Sequence, residues 1–197
     1  ISPQCADAAS GLYQSFVSGE LHLTNARTAE LAKLVENAFR DVNIAFANEL
    51  SLVCDHLNVN IWDLMSLANK HPRVNILSPG PGGGGHCIAV DPWFIVASAP
   101  DVTKIIRTAR EVNDAQPAAV VQKIRRAAAR LRDPVIACLG LSYKADIDDV
   151  RESPAVHIVE MLAEENIGEL LVVEPNLRVL PESLSKLSRV RRVDLQQ

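Results

Sequence analysis

The chain has 197 residues, of which 48% are hydrophobic and 22% charged, and its formal net charge is -4. This composition is typical of a globular protein with one large or two small domains, and it gives no electrostatic reason to expect a nucleic acid or an anionic membrane as partner. No apolar run approaches the ~20 residues that a membrane span requires. The four cysteines are scattered without a CxxC pair, which argues against a metal site or disulfide framework and favours a reduced, cytoplasmic protein.

The first part of the chain is predicted to be helical. Residues 6–17 form a first helix, and the alternation of residues 20–24 indicates a strand that could end a preceding domain. From Asn25 apolar residues recur at helical spacing to Leu57, and no glycine or proline interrupts residues 20–71. Thr24 or Asn25 is expected to cap the start of this helix. Such a helix would run about 50 Å at ~1.5 Å per residue. It must therefore bridge two domains or pack against a second copy of itself.

The later elements predict a change of fold class. Residues 60–68, 86–97 and 102–131 have helical patterns, and the apolar runs at 135–140 and 170–175 are typical of buried parallel strands around a helix at 154–162. We therefore predict a mainly α central domain with a long bridging helix, followed by an incomplete α/β, Rossmann-like domain. The predicted boundaries are 1–24 for the end of a preceding domain, 25–131 for the helical domain and 132–197 for the α/β domain.

A glycine-rich loop is the strongest local signal. Residues 80–85 hold five of the nine glycines, which lets a ligand approach the backbone and leaves amides free to hold an anion. Cys87 follows directly, and we expect it in the first turn of a helix, where a reactive thiolate is favoured. Asp91 would then lie one turn further on the same face. The competing interpretation is a flexible linker followed by a buried cysteine. The loop is not a dinucleotide fingerprint, because no apolar strand precedes it.

Other polar residues are weaker candidates. Lys33, Asn37 and Arg40 share one face of the long helix, where a lysine and an asparagine in register could hydrogen-bond one oxyanion. A solvated helix face explains the same row. Arg73, in a turn before the loop, could pair with a phosphate, although an ordinary surface turn explains it too. Residues 140–144 follow the carboxyl end of a predicted strand, where doubly wound sheets place their ligands.

Three groups of motifs occur in a fixed order. They are Ala29–Lys33 with Asn37–Phe39, then Pro79–Pro92, then Gly140–Lys144 with Asp149–Pro154. In this order the chain resembles the UDP-glucose/GDP-mannose dehydrogenase family over essentially its whole length. The resemblance implies an N-terminal NAD-binding domain, a helical central domain whose long helix forms a homodimer, and a UDP-binding α/β domain.

The resemblance also implies roles for individual residues. Cys87 would be the nucleophile, Lys33 and Asn37 would steady a developing oxyanion, and Asp91 would assist water or proton transfer. Arg151 would contact NAD. The implied contacts to the nucleotide sugar are Arg40, His71, Arg73 from a neighbouring subunit, the loop from Ser78 through Gly82, Gly83 and Gly84, and Tyr143 with Lys144.

The activity implied is a four-electron oxidation of a sugar C6 alcohol to a carboxylate with two NAD used in turn. Cys87 would capture the intermediate aldehyde as a thiohemiacetal, which is oxidised to a thioester and then hydrolysed. The stretches Arg40–Leu50, His71–Leu77 and His86–Phe94 point to UDP-N-acetyl-D-mannosamine as the UDP-sugar substrate. UDP-glucose and other nucleotide sugars are the alternatives.

Two departures from the family pattern carry expectations. The 197 residues contain no NAD-binding domain, so we expect them not to turn over alone. Gly83 stands where close members commonly have valine, which we expect to loosen the loop. Two other functions remain open, namely a non-catalytic nucleotide-sugar-binding or dimerisation module and a cysteine enzyme of another kind, such as an acyl-transfer catalyst. The second is disfavoured because His86 would point away from Cys87 on a helix.

Overall fold

The computed structural model of the chain describes residues 2–194, which form seven helices and three strands. Within those residues, no helix is both long and apolar enough to cross a membrane. The elements are α1 (Pro3–Gln14), α2 (Ala26–Leu57), α3 (Ile61–Ala68), α4 (Asp91–Ser98), α5 (Lys104–Ala128), β1 (Val135–Leu139), α6 (Pro154–Glu164), β2 (Glu169–Val173), α7 (Glu182–Ser185) and β3 (Val190–Arg192).

Helix α2 is the longest element, and the sequence predicted both of its ends. Asn25 caps the start, since its side-chain oxygen accepts the amide of Thr28 at 2.9 Å, and Asn58 ends the helix in the left-handed region at φ 55°. With 32 residues the helix is about 48 Å long at ~1.5 Å per residue. Helices α4 and α5 pack along it, so α2 organises the helical half of the molecule.

Helix α5 connects the two halves. It packs against α2 and α4 on one side and against α6 on the other. Its Val121 is 1% exposed and belongs to the apolar core of the α/β half. The other buried members of this core are Leu141, Ile158, Val159, Leu162, Ala163, Leu170, Val172 and Leu184.

The three strands form one parallel sheet in the order β1-β2-β3. Val135 is opposite Glu169, and Leu170 is opposite Val190. Helix α6 crosses between β1 and β2, as a parallel pair requires. The expected fold class, a mainly helical part followed by a small Rossmann-like α/β part, is therefore confirmed. Helix α7 and strand β3 were not predicted, because four and three residues are too short for a periodicity to show.

Two expectations near the start of the chain are wrong. Residues 20–24 are irregular, and within residues 2–194 no neighbouring strand pairs with their backbone amides and carbonyls. The first helix begins at Pro3 and ends at Gln14 instead of spanning 6–17. Its start is fixed by Ser2, whose hydroxyl oxygen accepts the amide of Cys5 at 3.2 Å.

The carboxylate of Glu174 fastens the loop after β1 to the end of β2. It is 4% exposed, and it accepts the amides of Leu141 at 2.8 Å, Ser142 at 3.0 Å and Asn176 at 3.0 Å. Burial acts to raise the pKa of Glu174, but these hydrogen bonds together outweigh it and hold the pKa below the ordinary value of 4.5. Glu174 therefore fixes the loop that carries Tyr143.

Replacing this carboxylate should destabilise the fold. Glu174→Gln loses an acceptor for buried amides, which should lower the free energy of unfolding by about 1–3 kcal/mol at pH 7. Because the folded-state pKa lies below 4.5, the charged form contributes its stability fully above that pH and loses it as the pH falls through the folded-state pKa. Urea unfolding at pH 7 and pH 4 should therefore show a smaller difference between the two proteins at the lower pH.

The exposed Glu182, which pairs with Lys186 on one turn of α7, offers a control. Glu182→Gln should change the free energy of unfolding by no more than about 0.5 kcal/mol. Equal effects of the two substitutions would contradict the role assigned to Glu174.

Candidate functional site

The glycine-rich loop lies at the junction of the two halves. Gly82 and Gly85 adopt φ angles of 138° and 88°, a region that side chains disfavour. A Cβ atom on Gly84 would lie 2.7 Å from Cδ of Pro154 and 2.8 Å from Cβ of Tyr143. The loop backbone is therefore pressed against the α/β half, and glycine is required for this close approach.

A cavity of about 370 Å³ opens beside this loop. Its lining joins α2, the loop and the segment after β1, so most of the site residues predicted from sequence meet here. They are Asn37, Arg40, Gly82, Gly83, Gly84, Cys87, Tyr143 and Lys144. Ile44 and His86 also line it and were not predicted. The position of Ile44, four residues after Arg40 on α2, is the sequence signal that could have identified it.

Cys87 lies on the cavity wall, but not in the first turn of a helix as expected. Residues 86–90 form turns, and α4 begins only at Asp91. Pro92 suits this start, because the first turn of a helix leaves its amides unpaired and proline has none to lose. The Cys87 carbonyl accepts the amide of Asp91 at 2.8 Å, and the Cys87 side chain is exposed. The thiol is therefore presented to the cavity by a turn.

Asn37 and Asp91 form a pair within the site. The amide nitrogen of Asn37 donates to Oδ2 of Asp91 at 2.6 Å, bridging α2 and α4. Asn37 is 9% exposed, and this hydrogen bond is partly buried. The pair holds the Asn37 side chain in one orientation beside Cys87, which was not evident from the sequence, where Asp91 was related to Cys87 alone.

Lys33 does not join Asn37 at the cavity. Its ammonium group pairs with Glu36 at 3.1 Å, and its side chain is 68% exposed. The two groups predicted to share one oxygen are thus apart in this structure. An exposed lysine on four rotatable carbons adopts other rotamers at little cost, so the predicted role requires it to leave Glu36.

Three predicted substrate contacts lie outside the cavity. His71, Arg73 and Ser78 are exposed and are not part of its lining. The ring nitrogen Nδ1 of His71 accepts the amide of Arg73 at 3.3 Å, so both residues belong to one surface turn. The Arg73 guanidinium remains accessible, as its predicted contribution to a neighbouring subunit requires.

Arg151 is held near the site by Asp149. Its Nε donates to Asp149 Oδ1 at 2.9 Å and its Nη2 to Oδ2 at 2.6 Å. These bonds lower the pKa of Asp149 to about 2, with a smaller contribution from His86. They also raise the pKa of Arg151, and the nearby Tyr143 and Cys87 raise it further. A permanently charged guanidinium thus stands within electrostatic reach of Cys87.

Gly83 lies against charged side chains of the helical half, and its expected loosening of the loop stays a prediction. Its φ is not in the positive region, and a Cβ atom there would lie 3.1 Å from Nη1 of Arg110 and 3.3 Å from Oδ1 of Asp41. The loop backbone therefore rests on a buried ion pair between α2 and α5. This support was not predicted, because nothing in the apolar periodicity of the two helices marks these charges as interior.

Comparison with known proteins identifies the domains to which the two halves correspond. Residues 27–115 match the central domain of the UDP-glucose/GDP-mannose dehydrogenase family, and residues 137–196 match its UDP-binding domain. An NDP-N-acetyl-D-galactosaminuronic acid dehydrogenase from Ralstonia nicotianae is 61% identical over 93% of this chain and 44% of its own length. A UDP-N-acetyl-D-mannosamine dehydrogenase from Campylobacter jejuni is 59% identical over 100% of this chain and 48% of its own length.

A solved structure extends the likeness to the fold. The UDP-N-acetyl-mannosamine dehydrogenase Cap5O from S. aureus superimposes with a TM-score of 0.82 at 44% identity, covering 98% of this chain and 48% of that protein. The chain thus spans about half the length of the relatives it matches. The two domain matches together cover more than half of the residues, and the chain belongs to the UDP-glucose/GDP-mannose dehydrogenase family.

Proposed function

We propose that this chain forms the nucleophile-bearing and sugar-binding part of an NAD-dependent UDP-sugar 6-dehydrogenase. The observation that carries the proposal is the shared cavity, where Cys87 from the helical half meets Tyr143 and Lys144 from the UDP-binding half. A cation on each side, Arg40 and Lys144, suits a ligand with two phosphates. The loop glycines leave room for the ligand against the backbone.

NAD, when bound, supplies the hydride acceptor for both oxidation steps. The described residues fit it in part, since they hold the charged Arg151 near Cys87, a suitable partner for a phosphate. They do not form a cradle for it within residues 2–194, because the glycine loop follows irregular residues 74–79 and is not the turn between a strand and a helix. We therefore propose that turnover needs an NAD-binding domain. A polypeptide that carries this chain together with that domain is called the complete enzyme below.

The residues of the cavity suit nucleophilic catalysis on an aldehyde. The Cys87 sulfur adds to the C6 aldehyde carbon, and the carbonyl oxygen receives a proton to give a thiohemiacetal. Loss of a hydride and a proton gives a thioester, and water then releases the acid and regenerates the thiol. The proposed role of Asn37 is to donate to the developing oxyanion, with Lys33 joining Asn37 once Lys33 leaves Glu36. Asp91 both orients Asn37 and can accept a proton from the attacking water.

The proposed substrate is UDP-N-acetyl-D-mannosamine, oxidised to UDP-N-acetyl-D-mannosaminuronate. The Campylobacter jejuni relative is named for that substrate, and it matches 100% of this chain. The Ralstonia nicotianae relative is named for another N-acetylated sugar. Both names therefore denote a sugar that carries an N-acetyl group. UDP-glucose is the remaining alternative.

A panel of nucleotide sugars tests the proposal directly. The complete enzyme with NAD should release NADH with UDP-N-acetyl-D-mannosamine and about two NADH for each sugar consumed, because the oxidation removes four electrons. The comparison sugars are UDP-N-acetylgalactosamine, UDP-N-acetylglucosamine, UDP-glucose and GDP-mannose. Absorbance at the NADH band gives the rates. Turnover of UDP-glucose in preference to the N-acetylated sugars would overturn the substrate, and no NADH with any sugar would overturn the activity.

The long helix also supports a proposed homodimer. Apolar side chains remain exposed along α2, and spacings of four and seven residues place most of them on one stripe. They include Leu31, Val35, Phe39, Phe46, Val53 and Leu57, each at least 45% exposed. Burying such a stripe against a second copy removes apolar surface from water. We propose that the exposed Arg73 contributes to the partner's site.

A further inference from the structure

Behind the glycine loop, a row of polar side chains runs through the interior between α2 and α5. Asp41 and Asn48 come from α2, and Arg110 and Asn113 come from α5; all four are at most 1% exposed. Arg110 Nη1 donates to Asp41 Oδ1. Asn113 Nδ2 donates to the same oxygen at 2.8 Å, and Asn48 Nδ2 donates to Asn113 Oδ1 at 2.9 Å. The four side chains form one continuous network.

Both ends of this network hold the backbone of the loop. At one end, Asn48 Oδ1 accepts the amide of Gly80 at 2.8 Å, while Gln116 Nε2 donates to the Gly80 carbonyl at 3.2 Å. At the other end, Arg110 Nη1 donates to the carbonyl of Ile88 at 3.3 Å. Ile88 directly follows Cys87. The network therefore fixes one residue at the start of the glycine loop and one beside the cysteine.

Stability alone does not explain these buried charges. Removing both members of an ion pair from water costs about as much as their attraction gains, so apolar residues of similar size often serve as well. Burial raises the pKa of Asp41, although Arg110 and Asn113 oppose this rise. What an apolar interior cannot supply is direction, because only hydrogen bonds set the orientation of the Gly80 and Ile88 peptide groups.

We propose that Asp41, Arg110, Asn113, Asn48 and Gln116 are positioning residues that hold the glycine loop and Cys87 in one arrangement relative to the substrate. The proposal rests on the proposed function, since it gives Cys87 a geometry to maintain. The side chains of Asn48 and Gln116 are not part of the cavity lining. These two act only through the loop backbone.

The decisive variant is Asn48→Ala in the complete enzyme. It removes the acceptor for the Gly80 amide and should lower kcat by about 10- to 100-fold, because a misplacement near 1 Å costs that much rate. The KM should change less than kcat, since the phosphate contacts remain. Ser51→Ala is the matched control on the same helix, because the Ser51 hydroxyl donates only to the Asn48 carbonyl at 2.7 Å. Its kcat should stay at the wild-type value.

A second measurement reports on Cys87 without turnover. The rate at which iodoacetamide alkylates Cys87 should differ from wild type in Asn48→Ala and not in Ser51→Ala, under conditions where circular dichroism shows both fully folded. A Cys5→Ser background is needed, because Cys5 is exposed and the Ser2 hydroxyl lowers its pKa. Should Asn48→Ala fail to fold, Gln116→Met removes the donor to the Gly80 carbonyl at similar volume.

The outcomes separate the two proposals. Loss of kcat with altered Cys87 alkylation in a folded variant supports the positioning role. An unchanged kcat and alkylation rate in a folded Asn48→Ala or Gln116→Met overturns it. The proposed function fails separately. If Cys87→Ser in the complete enzyme turns over at the wild-type rate, Cys87 is not the nucleophile, whatever the network variants show.

Discussion

The Cys87→Ser variant of the complete enzyme should form no sugar acid from the UDP-sugar. A serine hydroxyl without a positioned base adds poorly to an aldehyde, so the covalent intermediate that leads to the acid cannot accumulate. Its affinity for the UDP-sugar should stay within about twofold, because the change leaves the cations proposed to hold the phosphates, Arg40 and Lys144, in place. NADH release with product analysis measures the first effect, and calorimetry the second.

Cys5→Ser is the matched control, because Cys5 is also exposed and lies on α1, which is not part of the cavity lining. It should leave acid formation at the wild-type rate. Acid formation by Cys87→Ser at the wild-type rate would contradict the nucleophile assignment, and equal losses in both variants would point to damage that is not specific to the site.

Local chemistry explains how much of the fold was predictable from sequence. The long helix α2 follows from an uninterrupted apolar repeat with an asparagine at each end, where capping and left-handed geometry favour that residue. The α/β half follows from two continuous apolar runs, which are typical of strands in a parallel sheet. In both cases the signal lies in neighbouring residues, and the secondary structure agrees with it. The predicted burial holds for β2 but is wrong for β1, where Val135 is 56% and Leu139 75% exposed.

Part of the candidate site was predictable as a set of residues, but its geometry was not. Asn37, Cys87 and Tyr143 meet at one cavity, as the family resemblance implied. The partner of Asn37 was not foreseen, because Asp91 is 54 positions away along the chain. The exposed position of Lys33 fits the alternative of a solvated helix face, but its pairing with Glu36 was not foreseen. Such pairings depend on packing between helices, which spacing on one helix does not contain.

The polar interior behind the loop was missed for a related reason. Asp41, Arg110 and Asn113 are charged or polar, and composition rules place such residues outside unless a partner is known. Asp41 is paired with the other helix, 69 and 72 positions away along the chain. Arg110 also donates to Asp114 on its own helix. A sequence-based argument that treats each helix alone therefore assigns these residues to the solvent face.

Gly84→Ala should lower both the stability of the fold and the affinity for the UDP-sugar, because the loop packs closely against the UDP-binding half. The added Cβ would lie 2.7 Å from Pro154 Cδ, 2.8 Å from Tyr143 Cβ and 3.1 Å from the Glu152 carbonyl, so backbone or ring atoms must move. Overpacking of this kind costs about 1–3 kcal/mol. Because the displaced segment carries Tyr143 and Lys144, affinity for the UDP-sugar should fall by about tenfold for each ~1.4 kcal/mol of lost binding energy.

Gly80→Ala separates this steric effect from a general loss of loop freedom. No atom lies within 4 Å of a Cβ at Gly80, and its hydrogen bonds to Asn48 and Gln116 use only the backbone of the loop. The same methyl group should therefore leave stability unchanged or raise it by up to about 1 kcal/mol through the unfolded state. Thermal unfolding and UDP-sugar calorimetry on the 197-residue chain provide both measurements. If the two alanines weaken binding equally, then flexibility of the loop sets the affinity; if only Gly84→Ala does, the packing of the loop on Tyr143 and Pro154 builds the sugar site.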